Sequence, residues 1–259
     1  MINNYKIDDF MLSDPKKVPE KKFFHLDMPI HFLIKHRNAG KIDSHKWFFK
    51  GFCDYMQPEY TQIIDCGSIP LWSSISYLIK YMDKFEKVGG CSGEIEVSLP
   101  ERDPETNKEY SFTESILLRS QYVEYKISHY LDKAMETSFG FVSVLPGAFS
   151  TFRWKAIKGT PLKKFLLGAR DEFSDQIDIP SCATANKNLA EDRIMCIETI
   201  VQKNHDWTLA YVPNAICLTD PPITLMGILK QRRRWFNGTL FSTFSVIGSM
   251  WRVLQRKGS

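Results

Sequence analysis

TQIIDCGSIP, residues 61–70, is the stretch around which the rest of the chain is read. Gln62, Ile63 and Ile64 belong to a short, mostly apolar run bounded by turn residues, the pattern of a buried strand. The run ends on Asp65, and a glycine-containing turn follows. In open α/β sheets ligands collect beyond the carboxyl ends of strands, where a carboxylate can hold Mg²⁺ or Mn²⁺ together with substrate phosphates. An aspartate in that place also caps turns through its own backbone, and the residue alone leaves both roles open.

Outward from this strand, the pattern alternates. PIHFLIK (29–35) reads as a second short strand, and SHKWFFKGFCDYM (44–56) as a helix with Ser44 as its cap. PLWSSISYLIKYM (70–82) puts Leu71, Ile75, Leu78, Ile79 and Met82 on one helical face, with Pro70 opening the first turn. GEIEVSL (93–99) alternates as a strand does, PERDPETNKE (100–109) is a polar surface loop, and residues 113–136 form the longest helical stretch. FVSVLPGAFSTFRW (141–154) suggests two strands around a Pro-Gly turn. A helix over 189–202, a strand over 207–213 and a final helix from about 221 complete the series. Strand–helix alternation of this kind predicts an α/β domain with a largely parallel sheet.

Composition narrows the function classes. The 259 residues carry a formal net charge of +4, with 43% apolar and 25% charged residues, an ordinary globular balance. Nucleic-acid binders show a larger and more extended basic surplus, so that partner is not expected. The six cysteines include no C-x-x-C pair and the six histidines no H-E-x-x-H, which suits reduced thiols and excludes a zinc motif. The first 24 residues are a polar leading segment, and no run of 18 uncharged apolar residues exists. Residues 239–259, TLFSTFSVIGSMWRVLQRKGS, pair an apolar run with terminal cations, as a helix lying in a membrane interface does.

Two further places carry chemistry. In NKNLAEDRIMCIETI (186–200), Asn188 and Glu191 have capping-box spacing, and Asp192 shares a helical face with Met195, Cys196 and Thr199. That face is mostly apolar, so burial would raise the Asp192 pKa, as a general base requires; Glu191 and Asp192 could equally do no more than complement the helix dipole. In GILKQRRRWFNGTLF (227–241), Gln231, Arg234 and Trp235 fall on one side of a helix. Arg232 lies about 100° and Arg233 about 200° from Gln231. An amide, a guanidinium and an indole together suit a sugar diphosphate, whereas Arg232 and Arg233 read as a solvated or lipid-facing charge run.

Together, IIDCGSIP, GFVSVLPGAFSTFRW, LAEDRIMC and QRRRWFNG occur in the order and spacing of the chitin synthases, processive family 2 glycosyltransferases. KIDSHKWFF, GEI and EYKISHYLDKAMETSFG also resemble that family, and the likeness covers roughly residues 29–250. EDR with QRRRW and VLPGAF separates chitin synthases from cellulose and hyaluronan synthases. The resemblance implies a GT-A (Rossmann-like) domain over 25–238 on the cytosolic side of a plasma or secretory-vesicle membrane, with homo-oligomers allowed. It implies transfer of N-acetylglucosamine from UDP-GlcNAc to the non-reducing end of a growing β-1,4 chitin chain, with inversion.

By motif, Asp192 of the Glu191-Asp192-Arg193 triplet would be the base, and Asp65 would meet the Mg²⁺ or Mn²⁺ on the UDP diphosphate. Lys41 would reach donor phosphates, and Gln231, Arg234 and Trp235 would wall the acceptor and diphosphate. Val144 to Ala148, with Pro146 and Gly147 at its centre, would be a gating loop. The chain departs from the family at Cys66, where alanine or valine is usual, and at Ser68-Ile69-Pro70, where Thr-Lys-Pro is usual. The family's upstream uridine-binding segments, its spanning helices and its downstream W-G-T-R motif have no counterpart here. The expected protein is therefore the middle of a synthase, incomplete at both ends, the alternative being a non-catalytic membrane-associated scaffold of the same fold.

Overall fold

The computed structural model describes residues 31–36, 38–99, 109–166, 191–202 and 205–247, the side chains of 245 and 246 excepted. The leading segment, most of the 100–109 loop, the Asn188 cap and the cationic end beyond residue 247 lie outside the described residues. Helix α1 starts at Lys41–Lys46, runs on as a π-helix over Trp47–Cys53 and ends with one α turn, Asp54–Met56. Strand β1 (Tyr60–Ile64), edge strand β2 (Ile69–Pro70), helix α2 (Ser74–Lys84) and strand β3 (Val88–Val97) follow. Helix α3 opens at Phe112–Ile127, passes through a π-helical stretch Ser128–Lys133 and ends at Ala134–Ser138. Then come β4 (Phe149–Arg153), short helices α4 (Trp154–Ile157) and α5 (Thr160–Phe165), α6 (Glu191–Ile200), β5 (Thr208–Thr219) and α7 (Leu225–Ile247).

The five strands form one sheet in the order β1-β4-β3-β5-β2. The α/β class holds, but the sheet is parallel only between β3 and β5; β1/β4, β3/β4 and β2/β5 are antiparallel. The parallel pair is joined by a long connection, residues 98–207, and parallel pairing requires a crossover of that kind. β4 enters the sheet at the end where β1 leaves it, so it runs back along β1. The Asp65 N–H donates to the Ala148 carbonyl at 3.3 Å, which brings the end of β1 beside the loop before β4. Pro70 has no N–H to give and sits in the two-residue edge strand, not in the first turn of α2.

β3 is buried along all ten residues, with helices on both faces. One core, on the α1/α6 side, gathers Phe49, Leu145, Phe152, Trp154, Phe165, Met195, Cys196 and Leu209. The other, under α2, gathers Tyr77, Leu78, Met82, Cys91, Phe149 and Ala210. Halfway along β3, Gly93 faces Val212 while Glu94 already faces Ile216, so β5 bulges at Pro213–Ala215. A Cβ on Gly93 would lie 1.9 Å from the Ala215 carbonyl oxygen, so only glycine permits this approach.

Several expected boundaries move. Residues 31–35 form no strand, and Phe32 is 86% exposed. Ser44 lies inside α1, whose N-terminus is Gly40, itself held by Asn38 Oδ1 at 3.0 Å. Only one strand forms within 141–154; residues 142–148 follow an irregular path because their amides are held by side chains instead of a neighbouring strand. α3 gains a capping box between Ser111 and Glu114. α7 runs unbroken through residue 239, so the predicted interface segment begins inside the QRRRW helix, and no described helix is long and apolar enough to cross a membrane. The five described cysteines are free thiols.

Candidate active site

Four segments converge at the end of β1: the first turn of α1, the Asp65 turn, the loop before β4 and the start of α6. Lys41 Nζ stands 3.1 Å from Asp65 Oδ1 and 3.5 Å from Glu191 Oε1. Asp192, next to Glu191, accepts the Gly147 N–H on Oδ2 at 2.9 Å. Lys41, Asp65, Glu191, Asp192 and Gly147 thus form one cluster. Gly147 is there for space: a Cβ would come within 3.0 Å of both Asp192 Oδ1 and Lys41 Nζ.

The electrostatics follow from that crowding. Burial lifts the Asp192 carboxyl to about 6, and the neighbouring Glu191 adds to the rise; Lys41 and the Gly147 N–H oppose it, while Asp65 adds a smaller upward push. Burial pulls the Lys41 ammonium down, but Asp192, Asp65 and Glu191 together outweigh it, so the lysine stays charged. His45, one turn along α1 and stacked 5.5 Å from Phe165, is held near 4 by burial and by Lys41, and so is neutral.

The predicted apolar face of α6 is real: Met195, Cys196 and Thr199 are all buried. Arg193 makes no hydrogen bond to Asp192 among the described residues. Its field reaches Cys196, Glu136 and Asp192, and burial lowers its pKa. Pro146 is half-buried beside Gly147.

The Q-x-x-R-W face is only partly joined to this cluster. α7 packs on α6, yet among the described residues no hydrogen bond or ion pair links Gln231, Arg234 or Trp235 to Asp65, Glu191 or Asp192. Gln231 Oε1 is buried without a hydrogen-bond partner. Trp235 lies 6.4 Å from Tyr125 of α3, and Arg234 and Arg233 are exposed. Arg232, read from the sequence as a solvated charge, is the engaged one: its guanidinium lies 4.5 Å over Trp235 and meets Glu124 at 2.7 Å. The helical period sets angles around α7 but cannot say that Glu124 stands opposite.

Among the described residues no three His, Cys, Asp or Glu side chains converge to hold a metal. Asp65, with its side chain 44% exposed, is a carboxylate that could serve as one ligand to a divalent cation. A cavity of about 600 Å³ lies at the far end of the sheet, lined by Tyr60, Asp83, Arg153 and Trp207. It holds none of the clustered residues, and its size alone gives it no chemistry.

Glu136 and the role of Cys196 are not legible in the sequence pattern. Both accept amides of the 142–148 loop, and what the sequence does show is that Cys196 shares the Asp192 face.

A chitin synthase-like glycosyltransferase domain matches residues 10–250. Chitin synthase 1 of Phytophthora sojae is 37% identical over 222 residues, covering 86% of this chain and 23% of that protein. Chitin synthase 2 of Mycosarcoma maydis is 38% identical, covering 86% and 20%, and chitin synthase 1 of Saccharomyces cerevisiae 37%, covering 86% and 19%. The chain thus spans about a fifth to a quarter of the length of these relatives. With the domain matched over most of its length at this identity, the chain belongs to the chitin synthase-like glycosyltransferase family.

Proposed function

We propose that this chain is the catalytic core of a chitin synthase, transferring N-acetylglucosamine from UDP-GlcNAc to the non-reducing end of a β-1,4 chain with inversion. The observation that carries this reading is Asp192: a carboxylate lifted to about 6, oriented by the Gly147 N–H, beside a lysine that stays charged. A base poised near working pH takes a proton most effectively. Asp192 would remove the proton of the acceptor 4-hydroxyl as its oxygen attacks the anomeric carbon. The bond to the diphosphate then breaks, and UDP leaves with the electron pair.

Lys41 supplies positive charge where the diphosphate would lie, and Arg234 and Trp235 would flank the sugar from α7. Mg²⁺ or Mn²⁺, held by Asp65 and the phosphates, would neutralise the leaving group. The exposed Phe236, Leu240, Phe244 and Ile247 of α7 recur at helical spacing and suit a membrane face, with catalysis on the cytosolic side.

The test uses the complete polypeptide in membranes, assayed for incorporation of labelled N-acetylglucosamine into chitinase-sensitive polymer. Asp192→Asn should lose at least about 100-fold, or roughly 2.7 kcal/mol, with donor binding little changed. Near-normal polymer synthesis by that variant would remove Asp192 from the mechanism. No incorporation by the unmodified polypeptide, with UDP still bound, would favour a non-catalytic scaffold.

A further inference from the structure

We infer that Cys196 and Glu136 are positioning residues that clamp the 142–148 loop so that its Gly147 N–H stays on Asp192; the inference rests on the reading of Asp192 as the base. Three alternate amides of the loop each end on a side chain. Ser143 N–H donates to Glu136 Oε2 at 2.9 Å, Leu145 N–H to Cys196 Sγ at 3.2 Å and Gly147 N–H to Asp192 Oδ2 at 2.9 Å. Asp192 and Cys196 are i and i+4 on α6, so one helix face takes two of the three amides. The side chains of Val142 and Leu145 are fully buried, which fixes the loop from its apolar side as well.

The acceptor at the middle of the clamp is a neutral thiol. Burial pushes the Cys196 thiol up to about 12, the Leu145 N–H opposes the rise, Asp192 adds to it, and Arg193 and Lys133 also oppose it. Lys133, buried and lowered to about 8 by desolvation, donates to His129 Nε2 at 3.0 Å and feels Glu136, Cys196 and Arg193. Glu136 therefore accepts the Ser143 amide with two cations near it. If the middle amide is released, the loop can drift, and the bond that favours ionised Asp192 lengthens. Glu191, Lys41, Asp65 and Arg193, the other charges around Asp192, remain in place.

The experiment compares Cys196→Ala, Cys196→Ser, Glu136→Ala and Glu136→Gln in the complete polypeptide. Peptide-resolved hydrogen exchange over residues 141–149 reads the clamp, and pH-dependent incorporation reads its effect. Cys196→Ala and Glu136→Ala should speed exchange, lower kcat by roughly 10- to 100-fold with donor KM little changed, and move the acidic limb to higher pH. Cys196→Ser and Glu136→Gln, which keep an acceptor, should recover most of both. Unchanged exchange in the alanine variants, or faster exchange with unchanged kcat and pH profile, overturns the inference. Equal damage from serine and alanine at 196 also overturns it, because packing alone would then be at work. The reading of Asp192 as base fails separately, if Asp192→Asn stays active while the exchange results stand.

Discussion

Lys41 Nζ and Asp65 Oδ1 stand 3.1 Å apart, with Glu191 Oε1 at 3.5 Å from the same ammonium. One lysine from the first turn of α1 thus ties the end of β1 to the start of α6. The same ammonium is a principal force holding the Asp192 carboxyl down.

Lys41→Met should therefore act in two ways at once. Donor KM should rise about tenfold, the equivalent of about 1.4 kcal/mol, if Lys41 is the charged partner proposed for the diphosphate. The acidic limb of kcat/KM should move upward, since Asp192 loses a cation that favours its ionised form. Steady-state kinetics across pH 5 to 9 checks both; a rise in KM with an unmoved limb would uncouple Lys41 from Asp192.

The pH dependence has a definite sign. Asp192 titrates at about 6 in the fold against 3.8 when unperturbed. Transfer should fall about tenfold per pH unit below about 6, as the base is protonated. Between those two values the native state binds more protons than the unfolded state, so this group makes stability decline as pH rises from about 4 to about 6. Asp192→Asn should then melt no lower than the unmodified protein at pH 7.5, even though transfer is lost. A clear drop in Tm would show that the ionised carboxylate stabilises the fold.

Gly147→Ala tests the space at the site. The added methyl would press on both Asp192 and Lys41 at 3.0 Å. We expect a loss of about 100-fold in kcat with thermal unfolding little changed. Wild-type activity would mean that the loop and Asp192 lie farther apart in the working enzyme.

Asp65→Ala should abolish the metal dependence of UDP binding and leave the fold intact, because Asp65 is half-exposed at a strand end. Calorimetry with UDP, with and without Mn²⁺, reads this directly. Metal-dependent affinity that survives the substitution would move the metal to other residues.

The three arginines of α7 should not be equivalent. Arg232→Ala and Glu124→Ala should each loosen α7 from α3, with a coupling of about 0.5–1 kcal/mol in a double-mutant cycle. Arg234→Ala should cut transfer with little effect on stability, and Arg233→Ala should do little to either. Equal losses from all three, largely removed by salt, would mean a charge patch and no catalytic face.

Local order decides what could be read in the chain itself. Helical spacing showed that Asp192 faces the same way as Met195, Cys196 and Thr199, and all three are buried. The apolar run before Asp65 gave β1 and its carboxyl end because period and turn residues are properties of neighbours. What neighbours cannot encode is the partner across space. The Gly147–Asp192 and Leu145–Cys196 bonds join residues 45 and 51 positions apart, and they exist only because α6 packs beside the loop leading into β4. The strand directions were likewise settled by where β4 re-enters the sheet, and Arg232 found Glu124 only once α7 had docked on α3. Each of these contacts joins elements far apart in sequence, so only the packing of helices and loop against the sheet brings the partners within reach.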